Sequence, residues 1–155
     1  MALLLALGGA LACAPPRVTQ PVAFDHKLHA AKDIDCTYCH EHVENTPYAT
    51  LPSNGVCLGC HDKALGKSAA EASFLALAAK GPVPWVQVNR LPGHVYFSHR
   101  AHVTFGEISC TECHGDMAQR SEPVTRPQLT HLTMSGCVQC HEKKKARTDC
   151  LTCHQ

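Results

Sequence analysis

The stretch Cys36-Thr37-Tyr38-Cys39-His40 decides how this chain folds, because it is one copy of a pattern that recurs. C-x-x-C-H returns at Cys57-Leu58-Gly59-Cys60-His61, Cys110-Thr111-Glu112-Cys113-His114, Cys137-Val138-Gln139-Cys140-His141 and Cys150-Leu151-Thr152-Cys153-His154. Ten of the eleven cysteines are used this way. The pattern is the covalent attachment signature of a c-type haem. Two thiols one turn apart form thioethers to the vinyl-derived carbons of one porphyrin, and the next residue sets its imidazole under the iron. A zinc site would pair two C-x-x-C units without requiring His after each. A disulfide scaffold would leave the five following histidines without a reason. The sequence thus predicts five haem c groups, with His40, His61, His114, His141 and His154 as proximal ligands.

Five motifs in 155 residues leave about 31 residues for each. That is too little protein to bury every porphyrin in a pocket of its own. Aromatic side chains make up only 5% of the chain, so a conventional core would be thin. The cofactors are expected to lie close together and serve as the core, and the chain without them should be largely unfolded. The expected fold is mostly irregular and helical, with little sheet. A formal net charge of +1 gives no electrostatic case for nucleic-acid binding.

Seven of the twelve histidines remain as candidates for the distal side: His26, His29, His42, His94, His99, His102 and His131. Phe24-Asp25-His26-Lys27-Leu28-His29 precedes the first motif and Phe97-Ser98-His99-Arg100-Ala101-His102 the third. Both read F-x-H-x-x-H, so the chain contains an internal repeat. Histidines three apart lie near one face of a helical turn, and their rings can diverge to different irons. His26 and His29 then serve a first unit with two haems. His99, His102 and His94 serve a second with three. His42 and His131 read better as surface or hydrogen-bonding residues, and Met134 as packing beside a haem rather than an axial ligand.

Residues 1–12 are an apolar run ending in small residues, like the hydrophobic part of an export signal but without its basic start. Export is required, because haem c is attached outside the cytoplasm. Leu11-Ala12-Cys13 resembles the end of a lipoprotein box, which would lipidate Cys13; a retained anchor or plain cleavage are the alternatives. The expected division is 1–19 for signal or anchor and linker, 20–81 for the first haem unit and 82–155 for the second. Residues 64–80 are alanine-rich and predict a helix stopped at Gly81-Pro82. Residues 82–97 predict extended chain with Trp85 packed on the body or on a haem face, and 43–56 a loop. Lys143-Lys144-Lys145 reads as a solvated bridge, or as a contact for an acidic partner or anionic lipid.

F-x-H-x-x-H followed by C-x-x-C-H resembles the class III multihaem cytochromes. Further residues narrow the likeness: Leu51-Pro52-Ser53-Asn54 before Cys57, Pro84-Trp85-Val86-Gln87-Val88-Asn89-Arg90-Leu91-Pro92 running into His94-Val95-Tyr96-Phe97-Ser98-His99, Leu132-Thr133-Met134-Ser135-Gly136-Cys137, and Thr148-Asp149-Cys150. Over roughly residues 20–154 the chain resembles the multihaem subunit of alternative complex III and of the related quinone reductase complex. The resemblance implies a class III-like fold and axial histidines at His26, His29, His94, His99 and His102. It also implies an electron relay on the periplasmic side, or the outer face of the cytoplasmic membrane. Its partners would be membrane-bound quinone-reactive subunits and iron–sulfur or cytochrome subunits.

Electron transfer needs ligands, spacing and potentials, and no bond-making site. Two other readings compete. A multihaem reductase of small nitrogen or sulfur oxyanions needs one iron with an open side, against which the surplus of histidines argues. A stand-alone or polymeric haem wire is compatible with the small size.

Overall fold

The computed structural model describes residues 17–127 and 132–154. The apolar run at 1–12, Cys13 and His131 lie outside the described residues. Seven short α-helices carry most of the regular structure: α1 (His26–Ala30), α2 (Cys36–Cys39), α3 (Asn54–Leu58), α4 (Ala69–Ala78), α5 (Cys110–His114), α6 (Met134–Lys144) and α7 (Cys150–Cys153). A π-helical turn spans Ala101–Phe105 and a 3-10 turn Met117–Gln119. Among the described residues the only β pairing is an isolated antiparallel bridge between Val95 and His154. The fold is helical and poor in sheet, as the sequence predicts.

Most helices start at a residue that can cap them. Asp25 accepts from the Leu28 amide at 2.8 Å, Asp35 from Thr37 at 3.0 Å, Ser109 from Thr111 at 3.3 Å and Thr133 from Gly136 at 3.2 Å. Each side chain satisfies an amide that the first turn leaves without a helical partner. The alanine-rich helix is shorter than the 64–80 expected from composition. Glu71 draws the Leu65 and Gly66 amides to its carboxylate at 2.9 and 3.2 Å, which holds 65–66 in a loop, and Ser68 becomes the cap. At the far end Gly81 takes φ 145°, a conformation a side chain would strain.

Residues 82–94 form no regular element. Asn54 fixes their start: its Nδ2 donates to Gly81 O at 2.9 Å and its Oδ1 accepts from Val83 N at 3.0 Å. Gln20 ties Val86 and Val124 together from the other side. The buried apolar residues are few: Val22, Phe74 and Val83 form one cluster, with Trp85, Leu75, Leu77 and Cys57 packed on it, and Val43 is buried apart. Trp85 also meets Phe24 edge-on, with centroids 6.4 Å apart.

The two halves interlock. His99 N and Arg100 N donate to Pro47 O and Thr46 O at 3.0 and 3.2 Å, and Thr104 Oγ1 donates to Glu44 O at 2.7 Å. Lys27 N donates to Arg120 O at 3.0 Å, seating α1 beside the 3-10 turn. Residues just after the first motif thus hold residues just before the third.

Candidate haem-binding sites

Four of the C-x-x-C-H motifs start a short helix or lie within one, and the second begins in the last residues of α3 and continues as a turn. In α2, α3 and α7 the amide of the final His, at 40, 61 and 154, donates to the carbonyl of the first Cys at 2.9 Å. One turn of helix therefore sets both thiols and the imidazole on one side of each segment. Among the described residues no disulfide joins any two of the ten motif cysteines. Among the described residues no three His, Cys, Asp or Glu side chains converge as a metal held by protein ligands alone requires. An iron whose equatorial positions are filled by a porphyrin needs only one or two.

The imidazoles are arranged in pairs. Ring centroids are 6.2 Å apart for His29 and His61, 6.3 Å for His99 and His114, 6.0 Å for His102 and His141, and 5.5 Å for His94 and His154. An imidazole nitrogen ligates a transition metal at about 2 Å and the ring centre lies about 1 Å beyond, so two imidazoles on opposite sides of one ion are ~6 Å apart. His26 and His40 are neighbours as well. Burial first, then His40, lowers the His26 pKa to about 4, so this imidazole stays neutral, as a ligand must. Its Nδ1 is buried with no hydrogen-bond partner.

The other ring nitrogen is held in most cases. Nδ1 bonds to a main-chain carbonyl in His29 (Asp25, 2.8 Å), His40 (Thr50, 2.7 Å), His99 (Pro47, 3.2 Å), His102 (Ser98, 2.8 Å), His141 (Arg147, 2.6 Å) and His154 (His94, 3.3 Å). A carbonyl can only accept, so each Nδ1 carries the proton and each Nε2 keeps its lone pair free for a metal. His61 differs, since its Nδ1 bonds to the Glu71 carboxylate at 2.6 Å. Glu71 is a residue the sequence reading did not single out, and its place in an alanine-rich helix offered no signal.

Phenylalanine orders the paired histidines in each repeat. Phe24 meets His26 edge-on at 4.8 Å and stacks on His29 at 4.4 Å; Phe97 meets His99 at 4.8 Å and stacks on His102 at 4.4 Å. The stack turns the two imidazoles of one helical turn in different directions. His42 is exposed and contributes its main-chain carbonyl to a turn with Asn45 and Thr46. Met134 opens α6 and is 70% exposed.

Cysteines of different motifs are near enough to influence one another. Cys57 lies beside Cys39, Cys36 within hydrogen-bonding reach of Cys110, Cys140 beside Cys113, and Cys153 beside Cys137. Burial first, then these neighbours, raise the pKa of Cys36, Cys39, Cys113 and Cys137. Large apolar side chains inside the motifs face outward, Leu151 at 82% exposure and Tyr38 at 53%, and suit contact with the faces of a flat apolar group. The basic run at 143–145 closes α6: Lys145 is its left-handed cap, and Lys144 pairs with Glu112 at 3.1 Å.

Known proteins bear on this arrangement. The family described as cytochrome c7 and related cytochrome c matches residues 95–155. The menaquinone reductase multihaem cytochrome c subunit of Nitratidesulfovibrio vulgaris (strain Hildenborough) is 30% identical over 161 aligned residues, covering 88% of this chain and 77% of that protein. The high-molecular-weight cytochrome c of the same organism is 30% identical over 84% of this chain, which corresponds to 27% of that longer protein. With its repeated attachment motifs and sheet-poor helical fold, the chain belongs to the family of multihaem c-type cytochromes that includes the menaquinone reductase subunit, and its work is electron transfer.

Proposed function

We propose that this chain binds five haem c groups in one continuous row and relays electrons as the multihaem subunit of a membrane-bound quinone oxidoreductase complex. The observation that carries the proposal is the set of imidazole pairs about 6 Å apart, each joining one motif histidine to one histidine from elsewhere in the chain. The pairs support His40 with His26, His61 with His29, His114 with His99, His141 with His102 and His154 with His94 as the residues that would hold the five irons. Cys36, Cys39, Cys57, Cys60, Cys110, Cys113, Cys137, Cys140, Cys150 and Cys153 supply the thioethers. Bound there, haem c supplies the one-electron ferric/ferrous couple.

The residues do the rest. Main-chain carbonyls hold the Nδ1 proton of His29, His40, His99, His102, His141 and His154, which keeps these imidazoles from rotating. The proximity of cysteines from different motifs supports the order second, first, third, fourth, fifth motif. Residues 20–81 make a two-haem unit and 82–155 a three-haem unit, joined at the first and third motifs through Thr46, Pro47 and His99. An iron held by two imidazoles would have no position left for a small substrate, which favours a relay over a reductase.

The similarity to a menaquinone reductase subunit supports menaquinone as the substrate of the assembled complex, with membrane-bound quinone-reactive and iron–sulfur or cytochrome subunits as partners. Thioether attachment supports a place on the outer face of the cytoplasmic membrane. Among the described residues no helix is long and apolar enough to cross a membrane. Low-temperature EPR of the oxidised protein, with a pyridine haemochrome assay on the same sample, tests the proposal. Five haems per chain, all low-spin, are expected. A stoichiometric high-spin signal that shifts on adding nitrite or hydroxylamine would overturn it in favour of a reductase.

A further inference from the structure

The second motif has an anionic partner where other motifs have neutral ones. Glu71 Oε1 takes the His61 Nδ1 proton bond at 2.6 Å, and its side chain is only 9% exposed. The Leu65 amide bonds to the same oxygen at 2.9 Å and the Gly66 amide to Oε2 at 3.2 Å. Three donors converge on one shielded carboxylate and keep it ionised. The corresponding nitrogens of His40, His141 and His154 meet carbonyls of Thr50, Arg147 and His94.

A carboxylate acceptor draws the Nδ1 proton more strongly than a carbonyl does. Electron density at Nε2 rises, and a more basic imidazole favours the ferric over the ferrous state. The second motif lies next to the first, with Cys57 close enough to Cys39 to influence it. We infer that Glu71 is a positioning residue that acts through His61 to make the second-motif haem the low-potential one of the relay. The inference rests on the axial role proposed for His61.

Redox titration of the holoprotein at fixed pH, followed by EPR and visible spectra, tests it in the unmodified protein, Glu71→Gln and Glu71→Asp. In Glu71→Gln one haem of five becomes easier to reduce by roughly tenfold, about 59 mV for a one-electron couple. The other four keep their midpoints, and Glu71→Asp, which keeps the charge, falls between. A second readout needs no variant: in the fully reduced protein the His61 Nδ1 proton resonates furthest downfield of the axial imidazoles. Superimposable titrations of Glu71→Gln and the unmodified protein, with five low-spin haems in both, overturn the inference and leave the ligand assignment standing. So does a His61 proton that resonates among those of His40 and His141. Fewer than five low-spin haems in the unmodified protein would instead overturn the ligand assignment itself.

Discussion

Phe24-Asp25-His26-Lys27-Leu28-His29 and Phe97-Ser98-His99-Arg100-Ala101-His102 set their rings almost identically in surroundings that differ. In both, the phenylalanine is 4.8 Å from one imidazole and 4.4 Å from the other, with interplanar angles of 87° and 25° in the first and 89° and 26° in the second. The backbones that carry them diverge. The first forms an α-helical turn capped by Asp25; the second runs into a π-helical turn that ends at Gly106, where a Cβ would come within 2.7 Å of the His102 carbonyl. The first unit supplies most of the apolar cluster, Val22 and Phe74 with Leu75 and Leu77, which Val83 joins from just past the boundary, while the second adds a further motif clamped by the Val95–His154 bridge. Ring placement is thus what the repeat preserves, because it fixes where an iron can sit. Packing around the rings is free to vary.

The comparison implies that the second unit depends more on its cofactors than the first. Replacing Cys110, Cys113, Cys137, Cys140, Cys150 and Cys153 by Ala is expected to remove cooperative structure throughout 82–155. The matching replacement of Cys36, Cys39, Cys57 and Cys60 should leave measurable amide protection in α4. Hydrogen exchange reads both, and equal loss of protection in the two variants would break the contrast. A smaller effect tests the cluster itself. Phe74→Ala should cost about 3 kcal/mol in the stability of the holoprotein, the range for emptying a buried aromatic site. Denaturant unfolding measures it; a loss below about 1 kcal/mol would mean that the cluster adds little beyond the haem contacts. The smallest effect is expected at Lys144→Ala. Its pair with Glu112 is exposed on both sides, so the loss should stay within about 1 kcal/mol and fade with added salt.

The sequence carried the inventory of the site and much of the fold. Five motifs, a surplus of histidines and few aromatic residues pointed to a helical, sheet-poor chain built around cofactors. F-x-H-x-x-H pointed to a turn of helix with diverging rings, and α1 is that turn. Which imidazole faces which was not legible, because the pairs are distant in the chain: His94 and His154 are 60 residues apart. Nor was the order of the motifs in space, which follows from loops such as 44–47 docking on 99–104. Glu71 escaped notice for a related reason. Its contact with His61 depends on a loop that the carboxylate itself shapes through the Leu65 and Gly66 amides. That same contact shortened the helix expected over 64–80.

The most direct test of the whole account is an experimental structure of the holoprotein with iron positions located by anomalous scattering. Five irons are expected in one unbranched row, ordered second, first, third, fourth and fifth motif, each between the two imidazoles paired above. A branched arrangement, or an iron whose second axial side carries water instead of its assigned histidine, would contradict it.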